Sequence, residues 1–273
     1  MSIDPDRYFT RIGYDGPRDN SVATLRALHA FHPQAIPFEN LDPLLRRPVK
    51  LDADSLQAKL VDGGRGGYCF EHNSLFAAVL RVLGYRVEEA TARVRWTMPA
   101  GMITPRVHCL LFVEAEGERY LADVGFGGNV LTAPLALASR DEQQTPHEPF
   151  RLVDEGGGRV VQEAKLGGTW APLYVFDFAH TDPVDYEMGN WFTAAHPGSI
   201  FVNGLMGARA DAGKRYALRD NQLAVHTLGG GTEKTTLVSA GELRDALTDV
   251  FKVRLDGLDG LDAALETLAA RTA

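Results

Sequence analysis

One cysteine stands between a glycine-rich stretch and a run of helical periodicity: Gly63-Gly64-Arg65-Gly66-Gly67-Tyr68-Cys69-Phe70-Glu71-His72-Asn73. Leu75, Phe76, Val79, Leu80 and Leu83 follow at i, i+1, i+4, i+5 and i+8, an amphipathic helix that Gly84 is placed to end. A thiol at the mouth of such a helix meets unpaired backbone N–H groups and the positive end of the helix dipole, and both favour the thiolate. A thiolate is a nucleophile for acyl transfer or hydrolysis. The same stretch would serve as well as a tight turn carrying a buried cysteine, so the functional reading needs a base nearby.

That base must come from another element. Residues 107–113 read as one strand and 119–124 as another, with Glu116-Gly117 as the turn between them. Alternation puts His108, Leu110 and Phe112 on one face, and Val107, Cys109, Leu111 and Val113 on the other. Cys109 therefore reads as packing. A two-residue turn at Glu116-Gly117 sets His108 opposite Gly125, with Asp123 as its diagonal neighbour; a turn one residue earlier sets His108 opposite Asp123 itself. Either register keeps the two on one face within side-chain reach. An aspartate among Tyr120, Leu121 and Phe126 needs a partner once buried, and His108 is the nearest candidate. Cys69, His108 and Asp123 would then be nucleophile, base and orienting acid.

The elements that must position them divide the chain. Residues 1–85 read as a helical bundle. One helix carries Val22, Leu25 and Leu28, is capped by Asn20 or Asp19, and ends at His32-Pro33; a second begins near Asp54 with Gln57 as capping partner. Residues 86–190 read as short strands punctuated by glycine clusters at 125–128, 156–158 and 167–168, an antiparallel sheet or barrel. Residues 191–273 mix both types. There, strands 215–218 and 222–228 surround Asp220-Asn221, a further strand covers 234–238, and Ser239 with Glu242 opens a helix bearing Leu243, Leu247, Val250 and Phe251. Leu258, Leu261, Leu265 and Leu268 mark a last helix. The expected class is α+β.

Composition narrows the function. At roughly 150 residues per domain, 273 residues bound about two or three domains and need no disulfide or metal staple. A formal charge of −8 argues against general nucleic-acid binding, which requires a basic face. Two cysteines are too few for a Cys-rich zinc site, and no metal is expected. The first residues lack an apolar leader, and no apolar run reaches the roughly 20 residues of a membrane helix; with the scarcity of cysteine this points to a reducing cytoplasm and no membrane partner. Gly125-Phe126-Gly127-Gly128 lacks the spacing of a dinucleotide or phosphate loop.

The segments RGGYCFEHN (65–73), IPFENLD (36–42), ADVGFGG (122–128) and N-x-F-x-x-x-H-P-x-S-x-F (190–201), with the Val107-His108 strand, closely resemble the arylamine N-acetyltransferases over about residues 5–250. The resemblance implies an N-terminal helical bundle, a central antiparallel β-barrel and a C-terminal α/β lid around a cysteine-protease-like core. It implies the triad Cys69, His108 and Asp123, acetyl-CoA as co-substrate, and an arylamine, arylhydrazine or arylhydroxylamine as acceptor. Phe38 would line the acceptor pocket with Phe126 and Phe201, and Glu39 would pair with Arg65. Gly127 and Gly128 would admit the pantetheine arm or close a hairpin; Thr227 and Gly229 fall where relatives contact CoA. The state would be monomer or homodimer. A macrolactam-forming amide synthase on the same scaffold, a cysteine hydrolase and a non-catalytic small-molecule-binding module are the competing readings.

Overall fold

The computed structural model describes residues 3–99 and 101–271. The N-terminal part is helical, as its patterning requires. Pro5–Ile12 starts on the Asp4 side chain, which accepts from the Asp6 and Arg7 amides, and stops at Gly13. Val22–Ala35 is capped by Ser21 rather than Asn20 or Asp19; Asp19 instead accepts from the Ser21 and Thr24 hydroxyls, both at 2.6 Å. This helix continues through Pro33 to Ala35. The fully buried His29 and His32 find partners in neighbouring elements, and that tertiary gain outweighs the one backbone bond the proline removes. Ala53–Leu56 is capped by Asp52, not Asp54. Gln57 opens a π-helical turn, Gln57–Asp62, and its Oε1 accepts from the Asp4 amide.

Twelve strands lie among the described residues: β1 (Phe38–Glu39), β2 (Arg86–Val94), β3 (Arg106–Ala115), β4 (Glu118–Ala122), β5 (Leu135–Ala136), β6 (Phe150–Gly156), β7 (Arg159–Leu166), β8 (Thr169–Phe176), β9 (Met206–Asp211), β10 (Lys214–Arg219), β11 (Gln222–Thr227) and β12 (Thr232–Thr236). Seven form an antiparallel sheet in the order β5-β4-β3-β2-β8-β7-β6. Leu135 from one edge and Phe150 and Leu152 from the other share an interior with Leu110, Phe112 and Leu173, so the sheet curls into a nearly closed barrel. Its β3–β4 hairpin takes the two-residue turn, Glu116 and Gly117 both at positive φ, and pairs Leu111 with Ala122. Alternate β3 residues Leu111, Val113 and Ala115 face outward and join the core of the helical layer.

The other five strands run β1-β9-β10-β11-β12 and pack on helix Ala240–Asp245, its π-helical continuation Ala246–Val250 and helix Leu261–Ala269 in a core of Leu218, Leu243, Leu247, Phe251, Leu261, Leu265 and Leu268. Helix Pro183–Ala195, with Asp182 at its start, lies where the sequence reads first as strand and then as mixed; Val184, Met188 and Trp191 recur at helical spacing, but that stripe is exposed and the buried face carries Tyr186, Gly189 and Thr193. Asn40 joins the parts. Its amide donates to the Phe201 and Gly204 carbonyls, both at 2.7 Å, and its oxygen accepts from the Met206 amide.

Candidate active site

Cys69 is the first residue of helix Cys69–Val82. The glycines before it are there for space. A Cβ on Gly66 would lie 2.0 Å from the Pro37 carbonyl oxygen, and one on Gly67 would strike the Glu71 side chain. That closeness lets β1 and the loop exchange bonds, Glu39 N–H to Gly67 O at 2.8 Å and Gly67 N–H to Pro37 O at 3.3 Å. Glu71 accepts from the Tyr68 amide and from Lys59 at 2.6 Å. Lys59 also meets Asp42 at 2.6 Å, and Arg65 meets Glu39 at 2.7 Å, the pairing expected from the sequence. These buried charges hold the loop from behind.

His108 and Asp123 come from the barrel. The β2–β3 register slips between Ala92 and Arg93, leaving Val107 outside the ladder and turning the strand at His108. His108 Nε2 donates to Asp123 Oδ2 at 2.8 Å. The second ring nitrogen is thus left free for the Cys69 sulfur, and the two groups shift one another's ionisation. Asp123 Oδ1 accepts from the Gly125 amide at 2.9 Å and from Asn73 Nδ2 at 3.0 Å. Burial pushes the carboxyl toward protonation, but His108 and these donors hold it below the usual carboxylate range. Burial likewise disfavours a charged imidazole, and Asp123 and the sulfur overcome it and raise His108. Burial would raise the Cys69 thiol; the neighbouring Cys109 and His108 and the imidazolium charge lower it to about 6. The arrangement can hold a thiolate–imidazolium pair near neutrality and shuttle a proton across one imidazole.

The apolar walls are aromatic. Phe126 meets the His108 ring edge-on at 4.9 Å between centroids, and Tyr174 lies 4.8 Å away on a tilted plane. Phe38 stacks over His72 at 6.2 Å and stands 6.1 Å from Phe201, which packs on Tyr68. Phe38 and Phe201 both border the apolar cluster that contains Cys69. Gly127 abuts Phe38 and Gly128 abuts Ala217. Thr227 and Gly229 stand apart on the exposed end of the β11–β12 hairpin, where Thr227 bonds within its own turn. A cleft of 460 Å³ bounded by Arg106, Val107, Gly189 and Phe192 runs along the outer side of β3. His196 stacks on Phe192 and accepts from the Gly198 amide, a local structural role. Among the described residues no group of three or more His, Cys, Asp or Glu side chains could hold a metal ion, and no helix is long and apolar enough to cross a membrane.

Four residues escaped the sequence reading. Asn73 bridges Asp123 and Cys109 O and accepts from the Val124 amide at 3.1 Å; its place one turn after Cys69 was the available signal. His29 Nε2 accepts from the Asp123 amide at 3.0 Å. Tyr174 walls His108, and its hydroxyl approaches Asp123 without closing a good hydrogen bond. Cys109, read as packing, shares one buried apolar cluster with Cys69.

The N-acetyltransferase family model matches residues 21–259. The arylamine N-acetyltransferase of Mycolicibacterium smegmatis is 45% identical over 266 residues, 96% of each chain. That of Escherichia coli K12 is 41% identical over 253 residues, 92% of this chain and 89% of its own. The structure of Mycobacterium marinum arylamine N-acetyltransferase in complex with CoA superposes with a TM-score of 0.93 at 42% identity, covering 97% of this chain and 99% of that one. With matches of this identity running along nearly the whole chain, in the same fold, this protein belongs to the arylamine N-acetyltransferase family.

Proposed function

We propose that the chain transfers an acetyl group from acetyl-CoA to an arylamine, arylhydrazine or arylhydroxylamine by a ping-pong route through S-acetyl-Cys69. The observation that carries this reading is the imidazole of His108, bonded to Asp123 through one nitrogen and set beside the Cys69 thiol, whose ionised form it favours. The Cys69 thiolate attacks the thioester carbonyl, and the CoA sulfur leaves with the proton from His108. The neutral amine then attacks the acetyl-thioester, His108 takes the amine proton, and Cys69 leaves as thiolate. The first half exchanges thioester for thioester; amide formation drives the second. Phe126 and Tyr174 shield the bonded imidazole from water, which would otherwise hydrolyse the acyl enzyme.

On this reading Phe38, Phe126 and Phe201 contact the acceptor, and Gly127 and Gly128 pass the pantetheine arm. Thr227 and Gly229 would meet a more distant part of CoA. Residues 1–85 supply the nucleophile, 86–190 the histidine and aspartate, and 191–273 the connecting segment and lid. The complex of the M. marinum relative with CoA supports the donor assignment. Incubation with acetyl-CoA and no amine tests it by peptide mass spectrometry. The expected product is a Cys69 peptide heavier by one acetyl group, discharged on adding an arylamine. An acetyl group on Cys109, or none, overturns the reading.

A further inference from the structure

The chain's two cysteines, Cys69 and Cys109, are both buried and belong to one apolar cluster with Tyr68 and Phe70. Strand alternation brings them together. Cys109 shares the face of β3 that Leu111 and Val113 turn toward the helical layer, and Cys69 Sγ lies 3.7 Å from the Val107 carbonyl oxygen on the same strand. One helical turn on, Asn73 Nδ2 donates to Cys109 O at 2.8 Å and lies 3.8 Å from Cys109 Sγ. The Cys109 sulfur is thus clamped over the first turn of the helix, in the same buried apolar cluster as the Cys69 thiol. Acyl transfer makes no covalent use of a second sulfur.

We propose that Cys109 is a resolving thiol: hydrogen peroxide oxidises Cys69, and Cys109 then closes a reversible Cys69–Cys109 disulfide. In the first step the Cys69 thiolate attacks one peroxide oxygen. The O–O bond breaks, the sulfur is oxidised by two electrons to the sulfenic acid, and the departing hydroxide is protonated to water. In the second step the Cys109 sulfur attacks the Cys69 sulfur. The S–S bond forms, the S–O bond breaks, and the Cys109 proton leaves with the hydroxyl as water. The disulfide spares Cys69 from sulfinic acid, and a dithiol reverses it. A neighbouring thiol already packed on the oxidised sulfur makes this closure faster than a second encounter with peroxide.

The inference goes beyond the acyl-transfer reading and shares with it only the reactivity of Cys69. Its test treats the whole protein with hydrogen peroxide, blocks free thiols with N-ethylmaleimide, and maps peptides by mass spectrometry. The expected result is a Cys69–Cys109 peptide pair lighter by two hydrogens, with acetyl transfer restored by dithiothreitol. In Cys109→Ala the same treatment should leave sulfinic or sulfonic acid at Cys69. Activity, read against the variant's own untreated value, should then stay lost after dithiothreitol. Cys69 sulfinic acid beside a free Cys109 in the wild type, disulfides only between molecules, or a disulfide whose reduction restores nothing would each overturn it. Mapping of the wild type decides the matter even if the alanine variant does not fold. An acetyl adduct on Cys69 without the disulfide sinks this inference alone; no adduct and no alkylation of Cys69 sinks the acyl-transfer reading.

Discussion

His108 has one nitrogen committed to a carboxylate and stands beside the Cys69 thiol, and this placement sets how the site responds to pH. The Cys69 thiol, lowered to about 6, stays ionised in neutral solution. Alkylation by iodoacetamide should therefore be fast and flat above neutrality and fall off as the pH drops through about 6. In His108→Gln the midpoint should move up toward the free-thiol value of about 8.5, and Asp123→Asn should move it part of the way. A wild-type midpoint already in the free-thiol range would count against the ion pair. A second residue-scale effect concerns stability. Tyr8, His32, His72 and the Pro37 carbonyl form one buried chain, with links of 2.8, 2.9 and 3.1 Å. The carbonyl accepts from His72 Nε2, so the ring's other nitrogen accepts from His32, and both rings are neutral. Burial lowers His72 and His29 to about 4. A neutral form favoured by folding stabilises fully above the unfolded value of 6.5 and is lost as the pH falls toward 4, up to about 3 kcal/mol per ring. Urea denaturation between pH 7 and about 4 should show this slope. His72→Gln should flatten it.

At the scale of elements, the site depends on two backbones approaching more closely than side chains allow. Gly125 lets the segment after Asp123 lie against the start of the cysteine helix: a Cβ there would sit 2.8 Å from Cys69 Cα and 3.0 Å from Asn73 Nδ2. Cα cannot rotate away as a side-chain tip can. In Gly125→Ala the helix and the β4 end must separate by a fraction of an ångström or more, moving sulfur and imidazole apart. The expected outcome is a loss of about 100-fold in kcat/KM with destabilisation of about 1–3 kcal/mol, measured by steady-state acetyl transfer and thermal melting. A fall in melting temperature with unchanged kcat/KM would show that the approach serves packing alone.

Across the whole molecule, a buried ion pair ties the C-terminal sheet to the loop behind Phe126. Arg215 on β10 donates through Nε to Glu148 at 2.7 Å and through Nη1 to the Val130 carbonyl at 3.0 Å, with Gly128 O at 3.4 Å. The turn holding Gly127 and Gly128 is thereby fixed from the far side of the molecule. Arg215→Met strands the Glu148 carboxylate in a buried site and should cost about 3–5 kcal/mol by urea denaturation. The double variant Arg215→Met, Glu148→Leu should recover most of that loss, since the strain lies in the unpaired charge. Hydrogen exchange in 124–130 should quicken in the single variant and return toward normal in the double.

Local chemistry was legible along the chain. The glycines before Cys69, the period of Leu75 to Leu83, the alternation around His108 and the Glu116-Gly117 turn each express a constraint satisfied within a few residues. They placed the sulfur at a helix mouth and put imidazole and carboxylate on one strand face. The tertiary structure decided what those rules leave open. Which of two hairpin registers forms depends on how β3 packs between barrel interior and helices. The helix through Pro33 persists because His29 and His32 find partners about 40 to 94 positions away. Cys109 points away from His108, as alternation requires, yet that outward face is the one the cysteine helix covers. Alternation along a strand tells which residues share a side; only the packing of one element on another determines what waits there.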